Sequence, residues 1–286
     1  MNHQIKPLSA GLYFVATPIG AARDITLRGL DILASADVIA AEDTRTVRKL
    51  MDIHGVPLAG RKVFAFHDHS GDAAVSGVMA LIKSGKSVAC VSEAGTPLVA
   101  DPGFELGRAA ADAGLDVFAA PGPSAVLAAL SVSGLPTDRF AFAGFLSSAR
   151  QQRRTEIAEL RDLPFTLVFY ESPKRLNDML SDVSDILGAQ RQIAVCRELT
   201  KKFEEVQRGQ AGEVCAYFDQ HPPKGEIVVI IDRARDDVVA EDQIEAALRD
   251  AMKTMRVKDA ATAVAGALGL PRRQVYQTAL ALGKDD

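Results

Sequence analysis

Cysteine is scarce in this chain: Cys90, Cys196 and Cys215 lie far apart and form no CxxC pair. That number and spacing argue against a disulfide framework or a zinc site and leave buried thiols as the expectation. Long apolar runs are missing too. No stretch approaches the roughly 18 consecutive apolar residues of a membrane span, and the polar start MNHQIKP has no signal-peptide stretch, so the expected compartment is the cytoplasm. An excess of positive charge is also absent, since 33 Lys and Arg against 37 Asp and Glu give a net charge of −4. Nonspecific electrostatics will therefore not hold the whole chain on a polyanion, and a nucleic-acid substrate requires a local basic patch. No Walker sequence and no G-x-G-x-x-G follow any strand candidate, which weakens P-loop and dinucleotide-Rossmann readings.

What is present is an α/β alternation. Short β-branched or aromatic runs at 13–16, 38–41, 63–66, 87–91, 117–120, 140–143, 166–170, 193–197 and 227–231 read as strands. Helical periods fall between them at 27–34, 44–51, 73–83, 104–113 and 172–187. The last is the clearest, with Leu176, Met179, Leu180, Val183, Ile186 and Leu187 on one face. Such alternation predicts a largely parallel, helix-covered sheet. The 286 residues hold more strands than one sheet takes comfortably, so the expected organisation is an α/β domain over 1–121, a second over 122–235 and a helical tail over 236–286. RARDDVV (233–239) reads as the polar linker.

The loops behind the strands carry the chemistry. SEAGTPLVADPG (92–103) puts a carboxylate, glycines and prolines directly after a buried-type strand, and PGPS (121–124) repeats the arrangement before an apolar helix. In open α/β sheets ligands lie beyond the carboxyl ends of strands, so two such loops suggest one cleft. VATPIG (15–20) ends the first strand with a proline that fixes φ and a glycine that permits the turn. AEDTR (41–45) places Glu42, Asp43 and Arg45 at a helix head, where Asp43 or Thr44 also serves as cap. In FYESPKRL (169–176), Glu171 and Ser172 open a helix, and capping alone does not account for Tyr170, Glu171 and Arg175 together.

These segments, with DIT (24–26), SGLPTDRF (133–140), RELTK (197–201), EEVQRG (204–209) and KGE (224–226), resemble the tetrapyrrole methylase superfamily. Within it they are similar to the RsmI-type branch, the small-subunit (16S) ribosomal RNA cytidine 2′-O-methyltransferases. The resemblance implies two α/β domains with S-adenosylmethionine in the cleft between them, no metal, a homodimer, and ribosomal RNA as partner, in the assembled 30S subunit. Carried over by residue, it places the donor against Ile19, Glu93, Thr96, Ser124, Ala125, Tyr170, Gly225 and Glu226. Departures from the family pattern are Glu93 in place of an aspartate, Ala21 and Ala22 in place of an asparagine-leucine pair, Lys174 in place of a histidine, and 147–150 without a proline-lysine pattern.

Methyl transfer to a ribose hydroxyl needs alignment and a proton acceptor. The candidates are Asp43 and Glu42, with Arg45 on a phosphate, then Glu171, Lys201 and Glu204. The basic patch for RNA is expected from Arg150, Arg153 and Arg154 with Lys201 and Lys202, against the plainer reading of a solvated face. His67 and His69 alternate after a strand, but no third ligand is apparent, and a polar loop is preferred to a metal pair. In the tail, a helix over 257–268, a Gly269-Leu270-Pro271 break and a helix bearing Arg272 and Arg273 outline a helix-turn-helix or a packed helical hairpin. Two other functions share these features: a methyltransferase for a small tetrapyrrole-like acceptor, and a ligand-sensing DNA-binding regulator.

Overall fold

The computed structural model describes residues 3–67, 71–100, 103–234, 241–268 and 272–282, and the chain divides into two compact units, Met1–Ala234 and Arg235–Asp286. The first unit holds two five-stranded sheets. In one, β1 (Gly11–Val15), β2 (Val38–Ala41), β3 (Lys62–Ala65), β4 (Ser87–Val91) and β5 (Val117–Ala120) are all parallel, in the order β3-β2-β4-β1-β5. Parallel strands are covered on both faces, which explains their unbroken apolar runs. Alternate residues of β1 serve opposite cores: Tyr13 and Val15 pack with Leu30 and Leu33 of α1 (Leu27–Ser35) and with Val47 and Met51 of α2 (Thr44–Ile53). Leu12 and Phe14 pack with Val78 and Ile82 of α3 (Gly71–Lys83) and Leu106 of α4 (Phe104–Asp112). Because the strands share one direction, the loops after β1, β2, β4 and β5 leave from the same edge.

Helix α5 (Ala125–Ser133) leads to the second sheet, β6 (Phe140–Phe145), β7 (Thr166–Glu171), β8 (Gln192–Arg197), β9 (Glu205–Gln210) and β10 (Ile227–Ile231), in the order β6-β7-β10-β8-β9. Here the largely parallel expectation fails: only β6 and β7 pair in parallel, and the other three pairings are antiparallel. The reason is connection length, since the 198–204 loop between β8 and β9 is too short for the crossover of about a dozen residues that parallel neighbours require. Strand β9, EVQRGQ, has almost no apolar content and escapes a hydrophobicity-based reading. One face of this sheet packs on α6 (Arg150–Glu159), α7 (Leu176–Leu187) and α8 (Ala211–Gln220). The other packs on α5 together with Ile19 and Leu199.

Helix α7 starts later than its period suggests. Pro173 disfavours the helical region for Ser172, and the Ser172 carbonyl instead accepts the Arg175 and Leu176 N–H groups in a turn. The second unit contains α9 (Glu241–Met252), α10 (Val257–Leu268) and α11 (Arg272–Leu282) around Ile244, Leu248, Ala261, Val264, Val275 and Ala279. Helix α9 goes beyond the sequence reading, while the 269–271 break, most of the 233–239 linker and His69 lie outside the described residues. Among the described residues no helix is long and apolar enough to cross a membrane.

Candidate active site

Three of the loops at the carboxyl edge of the first sheet, those after β1, β4 and β5, are stapled to one another. Thr17 and Gly95 exchange backbone hydrogen bonds, with the Thr17 N–H donating to Gly95 O at 2.8 Å and the Gly95 N–H to Thr17 O at 3.0 Å. Gly95 does so at φ 88°, a conformation that favours glycine. The Ser92 hydroxyl donates to Gly95 O at 3.0 Å, and the Thr96 hydroxyl reaches the third loop, donating to Pro123 O at 2.9 Å. Thr96 therefore fixes the loops, and neither it nor Ser124 lines the cavity described below.

The second sheet closes this edge with the strap that follows β8. Glu198 and Thr200 both have positive φ, 51° and 62°, strain of a kind that clusters at functional sites. The Thr200 hydroxyl accepts the Ala21 N–H at 3.0 Å, and a β-carbon on Gly20 would lie 2.6 Å from it and from Lys201 Cγ. Glu198 in turn accepts the Glu226 N–H at 3.1 Å and the Lys201 ammonium at 3.0 Å, while Lys201 also donates to Glu226 at 2.9 Å.

Between strap and loops lies a cavity of about 620 Å³. Of the sequence-predicted donor residues, Ile19, Glu93, Ala125, Tyr170, Gly225 and Glu226 line it, and so do Glu42, Glu171 and Lys201. Sequence reasoning missed Thr46, Phe145, Cys196 and Leu199, although Thr46, Cys196 and Leu199 sit in or beside quoted motifs. Phe145 packs edge-on against Tyr170 with centroids 5.7 Å apart. Burial pushes the Cys196 thiol up to about 11, so it contributes a neutral wall.

The catalytic candidates separate. Asp43 does not line the cavity: it caps α2, accepting the Arg45 N–H at 2.7 Å, and its carboxylate pairs with the Arg45 guanidinium at 2.8 Å. Hydrogen bonds from Arg45 hold its pKa down to about 2, which makes it a weak proton acceptor. Glu42 faces the cavity, and its Oε2 accepts the Glu93 N–H at 2.9 Å, binding the second loop to the fourth strand's neighbour. Glu171 is buried; Oε1 accepts the Ser172 N–H at 2.7 Å and Oε2 stands 3.3 Å from Arg175 Nη2. The same Nη2 donates to Ser147 O at 3.1 Å and to Leu146 O, so Arg175 ties the loop after β6 to the end of β7. Glu204 accepts the Thr200 N–H at 2.6 Å and braces the strap from outside the cavity.

The expected RNA patch is largely spent inside the protein. Arg153 pairs with Asp182 at 2.8 Å with both side chains buried, 3% and 1% exposed. A guanidinium so enclosed cannot reach a phosphate, and Arg153 is corrected to a structural residue. Arg154 pairs with Asp182 at 2.6 Å and Asp185 at 3.1 Å, and Arg150 reaches Asp182 at 3.6 Å from an exposed position. Lys201 is the clamp described above, Lys202 is exposed over the Phe203 ring at 5.4 Å, and Arg45 is exposed but paired with Asp43. His67 is exposed, and among the described residues no three His, Cys, Asp or Glu side chains group as a metal site.

A family model described as tetrapyrrole (corrin/porphyrin) methylases matches residues 11–215, and one described as an RsmI C-terminal HTH domain matches 238–283. The chain is similar to ribosomal RNA small subunit methyltransferase I of Mesorhizobium japonicum, 43% identical over 278 residues that cover 97% of this chain and 94% of the relative. It is 39% identical to the same-named protein of Escherichia coli O157:H7, with 98% of each chain covered. Among solved structures, a cobalt precorrin-4 methyltransferase matches with a TM-score of 0.58 at 17% identity, covering 77% of this chain and 94% of that one, a likeness of fold alone.

Proposed function

The chain belongs to the tetrapyrrole (corrin/porphyrin) methylases, and from that premise we propose that it methylates the ribose 2′-hydroxyl of a cytidine in small-subunit (16S) ribosomal RNA with S-adenosylmethionine. The observation that carries this reading is the cavity at the carboxyl edge of the first sheet, walled by Glu42, Glu93, Glu171 and Glu226 with apolar Ile19, Ala125 and Tyr170. A carboxylate-rich wall beside an apolar one suits a ligand that joins a flat heterocycle to cationic groups. The close approach at Gly20 and Gly225 lets main-chain groups form part of the wall. When bound, the donor supplies a methyl carbon activated by its sulfonium.

The protein's own task is alignment of acceptor against donor and acceptance of the hydroxyl proton. Glu42 suits the second role best, because its Oε1 makes no hydrogen bond among the described residues and it lines the cavity. Glu171, with its partner Arg175, holds the wall. Exposed apolar side chains on the first unit, Phe104, Leu127, Phe140 and Phe145, support a homodimer, and the HTH-like second unit supports a role in grasping RNA of the 30S subunit in the cytoplasm. The test is transfer of tritium from labelled donor to small subunits, naked ribosomal RNA, duplex DNA and a tetrapyrrole. Labelling of the RNA ribose alone supports the reading; labelling of the tetrapyrrole alone replaces it.

A further inference from the structure

A second, smaller cavity of about 120 Å³ adjoins the first, and the two share Pro18, Gly20, Thr46 and Glu93 in their walls. One side of it is a single stripe of α2: Thr46, Lys49, Leu50 and Ile53 recur at the spacing of one helix face. Ile53 is 54% exposed, so this groove opens at the surface. Its size is far below the roughly 300–1,000 Å³ of a site for a drug-sized ligand and suits one heterocyclic ring.

Among the described residues, three exposed cations without a carboxylate partner stand around this groove, as others such as Lys62, Lys174 and Lys202 stand elsewhere on the surface. Arg48 and Lys49 of α2, and Arg23 of the 3₁₀ turn Ala22–Asp24 beside the lining residue Ala22, are exposed and form no ion pair among the described residues. Arg45, Arg150, Arg153, Arg154 and Lys201 are by contrast each held by a carboxylate. With its cap Asp43 included, α2 sets Asp43 and Asp52 against Arg45, Arg48 and Lys49, an excess of one positive charge. In a chain of net charge −4, that makes this helix face a place where a polyanion backbone is attracted rather than repelled.

We propose that the groove receives the acceptor nucleotide of the RNA, with its unstacked base along the α2 stripe and the flanking phosphates on Arg48, Lys49 and Arg23. The proposal rests on the methyl-transfer reading above. Shared walls carry it: a base seated here sets its ribose at Thr46 and Glu93, the residues where the groove meets the donor cavity, with Glu42 bonded to the Glu93 N–H at 2.9 Å. RNA is read by sequence mainly where bases are unstacked and can enter a pocket, while cations hold the backbone.

Two variants test it: Arg48→Gln/Lys49→Gln, which removes charge, and Ile53→Glu, which puts a carboxylate in the groove. All three positions are exposed, and thermal melts check that each variant is folded. Donor affinity by calorimetry is expected to match the unaltered protein in both. The KM for small subunits should rise roughly tenfold in the charge variant, and its log-affinity against log-salt slope should flatten by about 1.4, the loss of two single-strand phosphate contacts. Ile53→Glu should raise the same KM. Unchanged KM and slope in folded variants would overturn the groove and leave methyl transfer standing. Failure of the unaltered, donor-binding protein to label RNA would overturn both.

Discussion

Gly225 leaves open the space that the Glu198 carboxylate fills: a β-carbon at position 225 would fall on Glu198 itself. Gly225 also has φ 84°, so a side chain there is strained even before the collision. Gly225→Ala is therefore expected to expel Glu198 from the Glu226 N–H and the Lys201 ammonium and to distort the cavity wall. The left-handed backbone alone costs about 1–3 kcal/mol. Calorimetry should show donor affinity down by tenfold or more, on the order of 1.4 kcal/mol or above, in a protein that melts a few degrees lower.

Lys201 gives the strap its pH range. Burial lowers its pKa, but hydrogen bonds to Glu226 and Glu198 outweigh that, leaving it above the usual lysine value. A raised folded pKa means the stabilisation is fully present below the unfolded value, about 10.4, and is lost as pH rises through the folded one. It follows that Lys201 stays charged at working pH and is removed from the candidate bases. Lys201→Met should weaken donor binding from neutral pH upward, with the difference from the unaltered protein shrinking as pH rises through the folded pKa of Lys201. A loss of turnover titrating near neutral, with donor affinity intact, would return Lys201 to a proton-transfer role.

Glu42 and Asp43 are adjacent in sequence and opposite in prospect. Asp43→Asn keeps a cap that ranks with aspartate and should leave turnover close to that of the unaltered protein, while Asp43→Ala costs about 1 kcal/mol of stability. Glu42→Gln should lower turnover by about 10²–10⁴-fold with donor affinity preserved. Single-turnover transfer at saturating donor separates the two. The reverse ranking would restore Asp43 as base despite its depressed pKa.

The contrast shows what the sequence makes legible. The strand-end loops were readable because glycines, prolines and carboxylates sit where backbone must turn beside a ligand, and six of the eight residues assigned to the donor do line the cavity. Thr96 and Ser124 lie outside its wall; for Thr96 the reason is that a hydroxyl next to such a loop reads alike whether it faces a cavity or, as here, bonds the Pro123 carbonyl. The arginines at 150, 153 and 154 looked like a patch because their partner, Asp182, lies on another helix some 30 residues away. Periodicity exposes a face but not what covers it. Likewise β9 was invisible, since its pairing with β8 rests on backbone bonds and not on apolar side chains.

Asp182 yields the sharpest stability prediction. Burial raises its pKa, but hydrogen bonds from Arg154 and Arg153 outweigh this and leave it lowered. A lowered folded pKa places the stabilisation above the unfolded aspartate value, about 3.9, and removes it as pH falls through the folded one, so the pair holds at neutrality and fails in acid. Asp182→Ala leaves Arg153 buried without a counter-charge, and such losses cost about 3–5 kcal/mol. Replacing both partners, Arg153→Met/Asp182→Leu, should cost far less, because an apolar pair removes the stranded charge. Urea melts at neutral pH measure both. If Asp182→Ala melts like the unaltered protein and binds RNA more tightly, the arginines face solvent and the phosphate patch first read from the sequence is reinstated.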